Sequence, residues 1–194
     1  MGYYAVNGLV IRCSGKNSTV EIENPDIFTN SYINIESDNS YIKIKNAKYV
    51  RNLDVLVYQG YNQKFIFGVN SSVEDAKVFL CGANVECIIG DECMLSSGIE
   101  IWTSDGHSII DIASNEIIND VSAPLVIGDR CWIGREVRIL KNANIPPDTI
   151  VGAGAVIAKC FVERFTALAG NPAKVIKKSV MWDRGIPHEL KKER

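Results

Sequence analysis

One stretch concentrates the residues that could do chemistry: Trp102-Thr-Ser-Asp-Gly-His-Ser-Ile-Ile-Asp111. It carries His107, whereas the chain's other histidine, His188, stands near the carboxy terminus. An imidazole titrates close to neutral pH, so it can take a proton from a weak nucleophile such as a hydroxyl. The plainer reading of a loop histidine is that it caps a turn. Asp105 lies two residues earlier, with Gly106 permitting a tight turn between them. Its carboxylate can orient the imidazole, bind a substrate, or do no more than form an Asx turn. A backbone carbonyl would orient the ring equally well. No Gly-x-Ser-x-Gly nucleophile elbow occurs. The six cysteines (Cys13, Cys81, Cys87, Cys93, Cys131 and Cys160) include no Cys-x-x-Cys pair. They read as buried small apolar groups, and no metal site is expected.

The elements that must position this stretch are written in an unusual period. Aliphatic residues recur every six positions at Ile127, Ile133, Ile139, Ile145, Val151 and Ile157. Small or β-branched residues stand four places after five of them, at Cys131, Val137, Ala143, Thr149 and Ala155. No helix or ordinary strand has that period, so each hexad is one short strand plus one corner, burying its face by stacking on its neighbours. Upstream the repeat is wider. Turn signals Gly15-Lys-Asn17, Ser37-Asp-Asn39, Gly60-Tyr-Asn62 and Gly82-Ala-Asn84 recur at spacings of 22, 23 and 22 residues, each flanked by alternating apolar residues. One such repeat is one coil whose extra residues are expected to bulge at a single vertex, as Asn24 to Asn30 would. The coils are expected to begin near residue 8 and to be interrupted from Thr103 to Pro124. An excursion of that length in a compact domain usually carries function, and this one carries His107.

The ordered phrases Ile127-Gly-Asp-Arg-Cys-Trp-Ile-Gly134, Val151-Gly-Ala-Gly-Ala-Val156 and Gly170-Asn-Pro-Ala-Lys174 resemble the hexapeptide-repeat acyltransferases. With the Gly-x-Asn coils, the Thr-Ser-Asp-Gly-His loop, the Ile118-Asn119 pair and the Trp182-Asp-Arg184 end, most of the chain resembles the bacterial capsule and O-antigen polysaccharide O-acetyltransferases. The resemblance implies an all-β fold, a left-handed parallel β-helix shaped as a triangular prism, an exception to the right-handed rule for parallel crossovers. It also implies acetyl-CoA as co-substrate, a sugar hydroxyl as acceptor, and a homotrimer with active sites between subunits. Within that frame His107 is the general base, acting by direct transfer. Asp105, Trp132, Trp102 and Asn119 are the expected substrate-binding residues. Trp132 would pack beside the histidine and the acceptor; a subunit-contact role is compatible with that. The similar galactoside acetyltransferases carry donor contacts over to Arg135, Ala153, Ala158 and Lys159, with Lys174 and Lys177 for the nucleotide phosphates, although Ala158 replaces the family's usual threonine. An ordinary solvated face is the alternative for the lysines.

Composition narrows the classes. Lys plus Arg is 21 against 23 for Asp plus Glu, a formal charge of -2, which suggests neither a nucleic-acid surface nor an anionic-membrane one. No window approaches the roughly 20 apolar residues of a membrane span, and the amino terminus lacks a basic segment before an apolar run, so a cytoplasmic location is expected. Two histidines are too few for a γ-type carbonic anhydrase, which needs three as zinc ligands. Coils starting near residue 8 leave no room for a nucleotidyltransferase domain or for the helical domain usual in serine acetyltransferases. An acetyltransferase for a free sugar, an antibiotic or an amino acid remains an alternative, as does a non-catalytic scaffold. The expected organisation is a β-helix domain over 1–178 and a strand with a charged tail over 179–194.

Overall fold

The computed structural model describes residues 2–191, and these form one parallel β-solenoid of three faces. Face A stacks Leu9–Cys13, Ser31–Ile35, Leu53–Tyr58, Ala76–Cys81, Ile99–Trp102, Arg138–Ile139 and Val156–Ile157. Face B stacks Thr19–Ile22, Tyr41–Ile44, Lys64–Phe67, Glu86–Ile89, Leu125–Ile127 and Asn144–Ile145. Face C stacks Phe28–Thr29, Tyr49–Arg51, Ser72–Val73, Met94–Leu95, Trp132–Ile133, Ile150–Val151 and Thr166–Ala169. The chain visits the faces in the order A, B, C and closes one coil per circuit.

The register explains the hexads. Ile33, Val55, Val78, Ile101, Ile139 and Ile157 pair in succession on face A. Ile44, Phe67, Ile89, Ile127 and Ile145 do so on face B, and Val50, Val73, Leu95, Ile133, Val151 and Leu168 on face C. Every member of these columns is buried. Because side chains alternate along a strand, one aliphatic per face per coil builds a continuous three-sided core. The small residues expected at the corners, Cys131, Val137, Ala143, Thr149 and Ala155, are buried with them.

Coils begin at Leu9 as the spacing predicts, and the exposed edge is covered by Gly2–Val6, which pairs antiparallel with Leu9–Cys13. The extra residues gather at a single vertex, as expected, but not at the one that holds Asn24 to Asn30. Only the first coil carries the Pro25–Ile27 3-10 turn, between faces B and C. In the wide coils the extra residues instead lengthen the face A strands and fill the Gly-x-Asn turns between faces A and B. Those turns stack through left-handed asparagines: Asn62 Nδ2 donates to Asn84 Oδ1 at 2.8 Å, with φ near 55° at both. Gly60 is obligatory there, since a Cβ would lie 2.1 Å from the Gly82 carbonyl oxygen of the next coil. Two cysteines also depart from expectation. Cys160 is exposed because it pairs with Asn144 and not with the inward Ile145, and Cys13, in register with buried Ile35, is half-buried because its coil lies at the end of the stack.

At the other end the strand expected after 179 lies earlier, at Lys174–Lys178. There it pairs antiparallel with Thr166–Ala169 and closes the stack. The turn Gly170-Asn-Pro-Ala173 reverses the chain, and this reversal ends the coils before 178. Beyond it, among the described residues, only Pro187–Leu190 is helical. No helix among the described residues is long and apolar enough to cross a membrane.

Candidate active site

The excursion leaves the prism where face A meets face B, the vertex already used by the Gly-x-Asn turns. Its root is fixed. Thr103 is buried, its hydroxyl accepting from the Cys81 amide and donating to the Cys81 carbonyl, both at 3.0 Å. Trp102 stacks on Phe79 of the preceding coil with ring centroids 3.8 Å apart. Trp102, an expected substrate-binding residue, thus stands in a ladder on face A at the loop root. Ser104 Oγ accepts from the Gly106 amide at 3.1 Å, and Gly106 turns left-handed with φ of 75° in open space. This Ser-based turn, not an Asx turn by Asp105, presents His107 to solvent.

Beyond His107 the excursion is an ordered hairpin. Ile110 and Ile117 bridge antiparallel, and the Ile118 amide donates to the Ile109 carbonyl at 2.9 Å. Asp111 turns the tip by accepting from the Ser114 and Ala113 amides, which hold its carboxyl below the ordinary carboxylate range. The hairpin exposes Ile109, Ile110, Ile112, Ile117 and Ile118. At its return end, Asn142 Oδ1 accepts from the Ser122 and Ala123 amides before face B resumes at Leu125.

Asn119 joins the two arms of the excursion. Its Nδ2 donates to Asp105 Oδ2 at 2.7 Å and to the His107 carbonyl at 2.9 Å, while its Oδ1 accepts from the Ile109 amide at 2.7 Å. Lys141 Nζ lies 2.6 Å from Asp105 Oδ2 and also donates to the Asn119 carbonyl. Partial burial pushes the Asp105 carboxyl up, but the Lys141 ammonium and the Asn119 amide outweigh it and hold Asp105 below the ordinary range. Asp105 thus faces Lys141 and Asn119. Lys141 is the residue that sequence reasoning missed. The only clue was coil register: Ile101 pairs with Ile139, and the same offset of 38 residues sets Lys141 against Thr103 at the loop root.

The remaining expected site residues fall on other parts of the prism. Trp132 lies on face C, paired with Met94 and Ile150 and 38% exposed, opposite the vertex from which the His107 loop departs. A single chain does not bring them together. Trp182 lies beside it at 6.2 Å between ring centroids, its Nε1 donating to the Arg130 carbonyl at 2.7 Å. Arg135 and Ala153 stack at the vertex between faces C and A, where the Gly154 amide donates to the Arg135 carbonyl at 2.8 Å. Lys174 begins the closing strand beside the same vertex, opposite Ala169, and Lys177 lies opposite Ala167; both are exposed. Ala158 and Lys159 are exposed at the His107 vertex, two coils beyond the loop root, with the Lys159 ammonium over the Phe161 ring at 5.2 Å. The expected donor residues therefore occupy two vertices separated by face A.

Three stacked parallel faces, a hexad core and one histidine-bearing excursion define the class: a hexapeptide-repeat β-solenoid. No family model matches the chain. It is 29% identical over 182 residues to a polysialic acid O-acetyltransferase of Neisseria meningitidis, covering 94% of this chain and 83% of that protein. A polysialic acid O-acetyltransferase of Escherichia coli O1:K1 is 35% identical over 102 residues, and a putative acetyltransferase of Saccharomyces cerevisiae 35% over 121. These matches cover 53% and 62% of this chain but 33% and 59% of those proteins, so the chain spans only part of their lengths. Among solved structures, the polySia specific acetyltransferase NeuO superposes with a TM-score of 0.78 over 98% of this chain and 88% of that one, at 23% identity, a likeness of fold. The chain is thus similar in sequence to curated O-acetyltransferases and in fold to a solved one.

Proposed function

We propose that the protein is an acetyl-CoA-dependent O-acetyltransferase that acetylates a sugar hydroxyl of a bacterial surface polysaccharide, capsule or O-antigen, or of its precursor. The observation that carries this reading is the exposed imidazole of His107 on a loop that is itself hydrogen-bonded to the prism. The relatives support the acceptor class, since two of them are polysialic acid O-acetyltransferases.

His107 takes the proton from the acceptor hydroxyl as its oxygen attacks the thioester carbonyl. The tetrahedral intermediate then collapses, the carbon–sulfur bond breaks, and the imidazolium returns the proton to the leaving thiolate. General-base assistance of this kind contributes about 10² to 10⁴ in rate. Because Trp132 lies on the face opposite the loop, the acceptor site is assembled between subunits of a homotrimer, His107 of one copy facing Trp132 of the next. The five exposed isoleucines of the hairpin support a subunit contact. The same arrangement places the donor between the vertex of Arg135, Ala153 and Lys174 on one copy and that of Ala158 and Lys159 on its neighbour. The lysines bind the nucleotide phosphates as point charges. The reading includes no catalytic metal and a cytoplasmic site of action.

Cys93 and Cys131 are fully buried in the core, and burial pushes the Cys87 thiol up to about 12, so none of these three is a nucleophile for the acyl group. The exposed thiol of Cys160 at the His107 vertex is the one group that favours a second reading, a covalent acetyl-enzyme. Turnover of purified protein with acetyl-CoA and a panel of surface polysaccharides, polysialic acid included, separates them. His107→Ala is expected to lower turnover by about 10² to 10⁴ with acetyl-CoA affinity retained. Near-wild-type turnover by that variant refutes His107 as base, and acetylated Cys160 trapped by mass spectrometry refutes direct transfer.

A further inference from the structure

We infer that Lys141 is a positioning residue for His107: it pins the middle of the excursion to the prism through Asp105 and Asn119. This goes beyond the proposed function and rests on its assignment of His107 as the base.

The inference starts from how Asn119 uses its side chain. A primary amide offers two N–H donors and one carbonyl acceptor. Here both donors and the acceptor are engaged, on Asp105, His107 and Ile109, alternate residues of the segment that carries the imidazole. The segment is held before the imidazole through the Asp105 side chain, and at and after it through the main chain of His107 and Ile109. These bonds tie one arm of the excursion to the other, and by themselves tie neither arm to the solenoid. Lys141 supplies that tie. Its ammonium contacts both partners, Asp105 by an ion pair of 2.6 Å and Asn119 by its main-chain carbonyl. Its side chain is 16% exposed, against 42% for Asp105.

The base of Lys141 is rigid. It follows Leu140, whose amide donates to the Ile157 carbonyl at 2.8 Å, and Ile139, which is fully buried in the face A column. The position of the ammonium is thereby set by the core. At the return end of the same excursion, Asn142, the next residue, binds the Ser122 and Ala123 amides. Two consecutive residues of one coil therefore hold the excursion at its middle and at its exit. The electrostatics agree with a positioning role. A lone exposed ion pair contributes little, but this one is partly buried and shares its carboxylate oxygen with an amide donor, so the geometry is over-determined. A displacement of about 1 Å at a catalytic group can cost about 10²-fold in rate. Lys141 touches neither reacting atom. Its effect must pass through where the loop holds the imidazole.

The test combines hydrogen exchange of the purified protein with kinetics on acetyl-CoA and its polysaccharide acceptor. Lys141→Met keeps the length of the side chain and removes the charge. The expected result is at least 10-fold faster exchange at the Ile109 and Ile118 amides, with the face A amides unchanged. A 10- to 100-fold fall in kcat and little change in the KM for acetyl-CoA should accompany it. Lys141→Arg, which can bridge the same carboxylate and carbonyl, should recover most of both effects. In a His107→Ala background, Lys141→Met should cause no further loss of turnover, because a residue that acts through His107 has nothing left to act on. Unchanged exchange in Lys141→Met overturns the clamp, whatever the kinetics. Faster exchange with wild-type kcat, or an equal loss with and without His107, overturns the positioning role. Wild-type turnover in His107→Ala alone refutes the base assignment and with it the catalytic role of the clamp. That failure is distinguished from failure of the clamp itself because the exchange measurement does not depend on which residue is the base.

Discussion

Replacing Ile139 by alanine probes the column that carries the site. Ile139 is fully buried, pairing with Ile101 just before the loop root and with Ile157 just before Ala158. The substitution removes three buried carbons, a transfer loss of about 2.4 kcal/mol at about 0.8 kcal/mol each. A cavity term adds to this according to how far the surroundings can collapse. Collapse is resisted here, because the Arg138 and Leu140 amides are bonded to the Ala155 and Ile157 carbonyls and the Glu100 amide to Val137. The total therefore falls in the upper part of the range for such truncations, about 4 kcal/mol, while Ile139→Val should cost about 1 kcal/mol. Val162→Ala, at a residue 88% exposed and outside the hairpin, is the control and should stay within about 0.5 kcal/mol of the parent. Guanidinium unfolding followed by tryptophan fluorescence measures all three. If Ile139→Ala and Val162→Ala differ by less than about 1 kcal/mol, the column does not hold the coils as described.

Asp148 accepts from Arg130 Nε at 2.7 Å and from Arg164 Nε at 3.1 Å, and Arg130 first, then Arg164, holds its carboxyl below the ordinary value of 3.8 against partial burial. The sign follows: this stabilisation is complete above pH 3.8 and is lost as pH falls from there through the lower folded value. Asp148→Asn should flatten the fall of Tm with acid below about pH 4, leaving a residual slope from Asp105, which is shifted the same way; identical slopes in parent and variant would refute it. Prolonged EDTA treatment should leave acetyl transfer unchanged. Loss of activity restored by zinc would show a metal site among the cysteines and histidines.

How much was legible before folding depends on whether the interaction is local in sequence. The six-residue period from Ile127 to Ile157 and the wider Gly-x-Asn repeat prescribed the coils, because stacking identical units requires identical spacing and each unit carries its own corner. The interruption from Thr103 to Pro124, and His107 within it, were visible for the same reason: a break in a strict period is as local as the period. The resemblance to acyltransferases was carried by consecutive residues. What sequence could not show is where charges meet across coils. Lys141 finds Asp105 and Asn119 only after the excursion folds back along its vertex, and no spacing between residues 105, 119 and 141 announces it. The Asp105 carboxylate, open in sequence to several roles, is committed to that lysine by tertiary contact. The stacking of Trp102 on Phe79 is set by register across coils. The separation of Trp132 from His107 is likewise a property of the closed prism. A face and its opposite vertex are set by circuit geometry, so residues 25 positions apart in sequence end on opposite sides of the same coil stack.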